Sequence, residues 1–544
     1  MKRQHYFTST RVFLFLTGIF FCYWIGVYIY RVTWHPLAKF PGPKLAAMSF
    51  WYEFYYDLWP HRCRYMWKIK ELHDEYGPIV RINPIHIHIY DPDYLDEIYA
   101  GGKHKRDRDP WFMHMSKSGV MTWSLIHTQG HEVHKQRRAA LAPFLSRRAI
   151  AQLDDMISGK IETLAERVSH LRVTGEVIDL TYAMSALAMD VVSSYALGAD
   201  VGNLQRADWG KDWLDAHRTA GIIRPMGRQF KWLVNPALMW LSPTLVEKFS
   251  PRTADLSRKL MFPMESIQAA AEERERGGGK ALEANTRTIF SDILDSDLPE
   301  HEKLPGRLST EAAGIIGAGN EGTARTLAIT LFYIYDSPEV LGRLRDELKS
   351  IMPLPNSHVS LEALEALPHF SASMTEGLRL SHGASSRMPR VATDENLIYR
   401  DWIIPAGTPV MQSMYLHHMS PRIFPQPFVF LPQRWIDKPE LKSRYFLAWG
   451  RGSRSCVGMN LANAELYLTV ARIVRRFDLT LYETIRERDV EVVHDGFIGM
   501  PAFDSPVIRV KVSHDHPSEY MKSSDEVQEL ISVVARAEST PNSE

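Results

Sequence analysis

The sequence predicts a mainly α fold with a minor β region behind one apolar N-terminal helix. Three observations predict it. Apolar residues recur at helical spacing through most of the chain, two short strand-like runs lie near its start, and residues 12–30 are uncharged and mostly apolar.

The chain has 544 residues, yet no repeat or low-complexity linker divides its centre, so one large domain is expected. Lys+Arg and Asp+Glu both number 64, which lacks the basic excess of a nucleic-acid binder. Cys22, Cys63 and Cys456 are too few and scattered for a disulfide framework or a multi-cysteine zinc site, and they suit a reducing compartment.

The 19 residues 12–30 lie between Arg11 and Arg31, close to the ~20 that span a bilayer. A transmembrane anchor is expected. A cleaved signal would have ~7–15 apolar residues and small residues at its end, whereas large aromatics run up to Arg31 here. The flanking charges, Lys2, Arg3 and Arg11 against Arg31, Lys39 and Lys44, are too even to orient it.

Beyond it, Ile79-Val80-Arg81-Ile82 and residues 85–90 read as strands. In the second, isoleucines alternate with His86 and His88, which puts both histidines on the exposed face of a half-buried strand. The charged, glycine-containing residues 272–280 and the polar run to Asn285 read as a surface loop. The next helix starts with Ser309 or Thr310 as its cap and runs to about Tyr335, where Asp336-Ser337-Pro338 stops it. It contains Gly314, Gly317, Gly319 and Gly322, each costing roughly 1 kcal/mol relative to alanine. Tight packing on another helix, or a flat cofactor across this face, would offset that cost. Pro368 opens a helix in which Glu376 and Arg379, three apart, share a face. The polar tail from about His514 holds one short amphipathic candidate at 527–534 and is expected to be mobile.

Near the C-terminus a glycine-spaced loop delivers Cys456 to the start of an apolar-periodic helix. Unsatisfied N–H groups at a helix N-terminus favour the thiolate, the form that ligates iron. Gly452 and Gly458 would let the backbone lie against a porphyrin, and Arg454 could pair with a propionate. A sulfur pushing electron density onto haem iron favours O–O cleavage. A buried, inert cysteine beside a helix cap is the alternative.

Read together, Trp449, Gly452, Arg454, Cys456 and Gly458 resemble the FxxGxRxCxG haem signature of the cytochrome P-450 family, with Trp449 in place of the usual Phe. The resemblance extends from the hinge at His35-Pro36-Leu37 and Phe40-Pro41-Gly42-Pro43 to about Val512. It implies the cytochrome P-450 fold behind a transmembrane helix: an anchor at 1–34, a haem-thiolate domain at 35–512 and a tail at 513–544. Heme b on Cys456, O2, an apolar small-molecule substrate and a separate NADPH-cytochrome P-450 reductase follow from it, as does a single-pass position in the endoplasmic reticulum membrane with the catalytic domain in the cytosol. No strand–GxGxxG–helix unit is present to bind the dinucleotide directly.

The family's oxygen-binding AGx(D/E)TT segment falls on residues 318–323, which makes Glu321 and Thr323 the catalytic candidates and lays Gly319 against the cofactor. Gly322 stands where the family's alcohol would be, and Thr323 lies about a hundred degrees further round the helix. Proton delivery through water or a substrate hydroxyl is one consequence. A rearrangement or dehydration in place of hydroxylation is another. By the same resemblance His134 and Arg138 occupy the WxxxR element and Arg387 follows the ExxR helix, so these three join Arg454 as propionate candidates. Glu376, Arg379 and Arg434 are structural. The substrate is bounded by residues 111–125, Ile315, Ile316, Ala318, Ser385, Ser386 and residues 497–500, and Lys135, Arg137, Arg444 and Arg451 form the reductase's landing surface. The wording is similar to fungal trichodiene-oxygenase-type enzymes acting on terpenoids, polyketides or alkaloids. A haem-binding carrier or sensor, or a membrane-anchored scaffold, is the competing class.

Overall fold

The helix Pro305–Asp336 is the axis on which the others pack: Leu180–Leu197, Pro368–Ser381 and Met459–Arg476 lie against it. Leu187, Leu327, Phe370, Val470 and Phe477 close the shared core. These contacts come from a computed structural model that describes residues 2–113, 123–231, 243–249, 251–276, 288–295 and 298–516. The axis helix begins at Pro305, four residues before the expected cap at Ser309. Proline at the first helical position gives up an N–H that has no partner there anyway, and the Thr310 hydroxyl instead donates back to the Arg307 carbonyl within the helix.

The minor β region comprises four small sheets. The largest has five strands in the spatial order Ile79–Arg81, Ile87–Ile89, Pro409–Met411, Arg390–Val391, Asp107–Arg108. Both predicted strands are present, but Ile87–Ile89 is central and buried on both faces, so His86 and His88 are buried, not exposed. Each found a polar partner that alternation does not reveal. His86 Nε2 lies 2.9 Å from Asp109, and His88 Nδ1 lies 2.7 Å from His73 Nε2, whose Nδ1 donates to the Gly77 carbonyl.

In the helix Lys2–Thr33 most apolar residues from Val12 onward are exposed, and Val12–Thr33 is long and apolar enough to cross a membrane. Leu180–Leu197 passes the same test but is 78% buried, as a core helix is. The proline hinge is docked, not free: Leu37 and Phe40 are buried against the five-stranded sheet, and Phe40 stacks on Trp402. Gly42 is at φ +145°, and a Cβ there would strike the Arg81 carbonyl. Two boundaries move. The helix Pro251–Arg276 covers the start of the expected loop at 272–285. The strand Arg509–Asp515 pairs with Phe477–Leu481 and Ile178–Asp179, so the domain extends past 512. The amphipathic candidate at 527–534 lies outside the described residues.

Burial pushes His73 down to about 4 and holds His88 well below the imidazole range, so both are neutral in the fold. An unfolded histidine titrates near 6.5, so below that pH the unfolded chain binds the extra protons; stability is full above about 6.5 and falls as pH drops toward 4. Thermal unfolding followed from pH 7.5 to 5 should show this loss, and His73→Gln should reduce its slope by about 1.4 kcal/mol per pH unit.

Candidate active site

Glu376 is fully buried and takes two 2.8 Å hydrogen bonds from Arg379, one from Arg434 Nε at 3.2 Å and one from Trp435 Nε1 at 2.8 Å. Burial pushes its carboxyl up, but Arg379 and then Arg434 outweigh that and hold it below its usual range. Arg379 also donates to the His418 and Pro427 carbonyls, so this ion cluster ties the Pro368–Ser381 helix to the segment leading to Cys456. That segment is gripped again by two adjacent histidines: His417 Nε2 meets the Tyr445 carbonyl at 2.8 Å, and Leu447 N–H donates to His418 Nε2 at 3.1 Å.

The loop itself is fixed by short backbone bonds. Cys456 N–H donates to the Trp449 carbonyl at 2.7 Å, and Arg138 reaches the Ser455 carbonyl at 2.6 Å. Trp449 packs half-buried on the main core. Gly452 is at φ +71°, and its missing Cβ would strike the Tyr99 and Ala100 carbonyls, so it permits a close backbone approach. A Cβ at Gly458, in contrast, would meet nothing within 4 Å, and the Cys456 side chain is accessible. Enclosure by protein pushes its thiol up; the Gly458 N–H and Arg138 pull it back only in part. Desolvation and the loop's own donors thus act on Cys456 in opposite directions, just before the Met459–Arg476 helix. A bound metal ion would deprotonate it outright.

Beside the loop lies a group of buried cations. Arg108 and Arg390 are directly paired across neighbouring strands, a like-charge arrangement that disfavours the sheet, and Arg454 and Arg138 act on the same region. None of the four forms an ion pair with a carboxylate of the described residues. Arg454 donates at 2.6 Å to the Thr128 and Gln129 carbonyls, while its Nε and that of Arg108 have no partner. Burial, then Arg454, Arg108, Arg138 and Arg390, push His134 down to about 2, so its imidazole is neutral. Sequence reasoning named Arg387 and did not single out Arg108 and Arg390, whose juxtaposition across two strands no local pattern reveals. Arg387 sits elsewhere, buried against Glu53 at 2.6 Å and Asp57 at 3.2 Å together with Arg228. Only Met388 and Pro389 separate the two arginines, enough to let them meet different partners. The uncompensated cluster, with an accessible cysteine beside it, fits a group bearing carboxylates at one edge and a thiol-binding metal.

The axis helix passes over the other side. Gly319 packs on a neighbouring helix, its missing Cβ lying 2.7 Å from Val192. Ala318, Glu321, Gly322 and Arg325 share one face instead, where Ala318 is exposed and a Cβ at Gly322 would meet nothing within 4 Å. Thr323 is buried off that face, and the hydroxyl bonded to the Gly322 carbonyl is that of Thr326, at 2.9 Å. Of the expected substrate wall, Ile316 belongs to the core and Ser385 is engaged by Asp495; residues 114–122 lie outside the described set. The proposed landing surface is largely consumed by internal pairs: Arg137 with Glu302, Arg444 with Asp93 and Arg451 with Asp96.

The two arginines separate by experiment. Arg387→Ala should cost about 3–5 kcal/mol in unfolding free energy, because Glu53 and Asp57 lose a buried partner. Arg390→Ala should leave the stability of the cofactor-free protein unchanged or raised, since it removes a like-charge pair, while weakening retention of a carboxylate-bearing cofactor during gel filtration.

Comparison with known proteins gives the same reading. The sequence profile of the family described as Cytochrome P450 matches residues 45–498. The chain is 38% identical to the cytochrome P450 monooxygenase MO6277 of Ascocoryne sarcoides, over 93% of this chain and 99% of that protein. It is 36% identical to the cytochrome P450 monooxygenase tpcC of Cochliobolus heterostrophus, over 93% and 97%, and 36% identical to the tryptophan 6-hydroxylase fscE of Fusarium equiseti, over 89% and 94%. With its buried ExxR cluster, its glycine-flanked cysteine loop and its unpaired cation cluster, this chain belongs to the cytochrome P450 family of haem-iron monooxygenases.

Proposed function

We propose that this chain is a haem-thiolate monooxygenase of fungal secondary metabolism that oxidises an apolar metabolite with O2 and electrons passed from NADPH by a separate reductase. The observation that carries this reading is the cross-strand Arg108–Arg390 pair with Arg454, three buried guanidiniums without a carboxylate, next to the accessible Cys456. Cys456 would hold the iron of heme b; Arg108, Arg390 and Arg454 would take its propionates, with His134 donating a neutral hydrogen bond. Bound haem supplies reductive activation of O2 that no side chain can perform. The protein's own contribution is positional. Arg138 and the Trp449 carbonyl fix the sulfur's loop, and Glu321 brings a carboxylate to the opposite face. Membrane attachment through Val12–Thr33, with the domain on the cytosolic side of the endoplasmic reticulum, fits a membrane-bound reductase as donor.

A second reading rests on Gly322. The open space at its Cβ leaves Glu321 without a neighbouring hydroxyl, which suits proton delivery by water or by the substrate, and suits a rearrangement or dehydration as the outcome.

Two experiments test these readings. Cys456→Ala should abolish the thiolate-type absorption of the reduced carbon monoxide complex, and Cys63→Ala should retain it; survival of the spectrum without Cys456 would refute the ligand assignment. Gly322→Thr should be accommodated sterically and change the product formed per NADPH consumed, while Glu321→Ala should slow turnover by about 10²-fold. Unchanged coupling in both variants would leave Glu321 with a structural role only.

A further inference from the structure

The helix Lys211–Gln229 packs against the axis helix and carries a guanidinium whose chemistry the proposed reaction does not use. Arg224 donates to the Gly496 carbonyl at 3.1 Å, and its guanidinium lies 4.7 Å from the centre of the Phe497 ring. A guanidinium has five N–H donors, and the others of Arg224 make no hydrogen bond among the described residues. The nearby carboxylates are already taken. Glu53 and Asp57 pair with Arg228 and Arg387, and Asp495 accepts from Ser385 and from the Phe497 N–H. Two further cations stand close: Arg218, whose guanidinium lies 5.9 Å from the centre of the Tyr182 ring, and Arg325, which donates to the Val490 carbonyl and leaves its Nε unpartnered among the described residues. Glu321 acts on both Arg224 and Arg325, and among the described residues no ion pair within 4 Å joins it to Arg218, Arg224 or Arg325.

On the reading of this face as the oxidation site, we propose that Arg224 is the specificity-determining residue for a substrate that is apolar along most of its length but carries a carboxylate. Phe497 and the Gly496 carbonyl hold the guanidinium in place, so its planar fork can meet a carboxylate two bonds at a time. The apolar body then extends along Ala318 and Gly322 toward the side of Cys456. Burial lowers the Arg224 pKa while Glu321 opposes it, as expected for a cation with an incomplete counter-charge.

The test uses full-length protein whose reduced carbon monoxide spectrum is intact, a readout that fails only if the haem-thiolate reading itself fails. Dodecanoic acid and its methyl ester, and a tricyclic diterpene acid and its methyl ester, are titrated at pH 7.5 against the haem absorption. At least one acid should bind about tenfold more tightly than its ester. Arg224→Gln should bring the pair within about twofold, and Arg224→Lys should retain part of the preference. Equal affinity of acid and ester in the native protein, no binding of either, or a preference unchanged in Arg224→Gln would each overturn the proposal. A change in coupling that is the same for acid and ester would assign Arg224 to neutralising Glu321 and also overturn it.

Discussion

A guanidinium removed from water needs an anion or a full set of acceptors, because burying an unpaired charge costs several kcal/mol. The fold meets that demand itself in two places. Glu376 satisfies Arg379 and Arg434, and Glu53 with Asp57 satisfies Arg228 and Arg387. Around Arg108, Arg390 and Arg454 it does not. A protein that places two like charges opposite each other on adjacent strands carries a debt that only an anionic partner removes.

The same economy explains how the cysteine loop is held. Its stem is bonded to His417 and His418, its turn accepts and donates through Trp449 and Cys456, and its far side is gripped by Arg138. Gly452 lets it approach the Tyr99 and Ala100 carbonyls more closely than any side chain would permit. The loop is thus over-determined from three directions, which keeps a single sulfur in place against an otherwise unfavourable desolvation.

The axis helix divides its glycines between two duties. Gly319 and Gly314 give space to Val192 and Ser124 on neighbouring segments, whereas Gly322 gives space to the site. Packing offsets the helix cost of the first two; at the third, the cost of roughly 1 kcal/mol is offset by nothing within the protein. That asymmetry makes Gly322 the position where a change in chemistry is tolerated by the fold.

Sequence by itself determined the class, the apolar N-terminal helix, the Glu376–Arg379–Arg434 cluster and the place of Cys456, because each is a local signal: a period, an apolar length, an i,i+3 spacing or a glycine-spaced loop. It misjudged His86 and His88, since alternation cannot tell an edge strand from a central one whose polar residues find buried partners. It did not single out Arg108 or Arg390, and it could not name what Arg387 and Gly319 pack against, since spacing along the chain does not say which distant segment arrives opposite. The identity of each partner, Glu53 for Arg387, Val192 for Gly319, and Arg108 for Arg390 across the sheet, was decided by the tertiary structure alone, because those contacts join residues more than a hundred positions apart and exist only once the chain has packed.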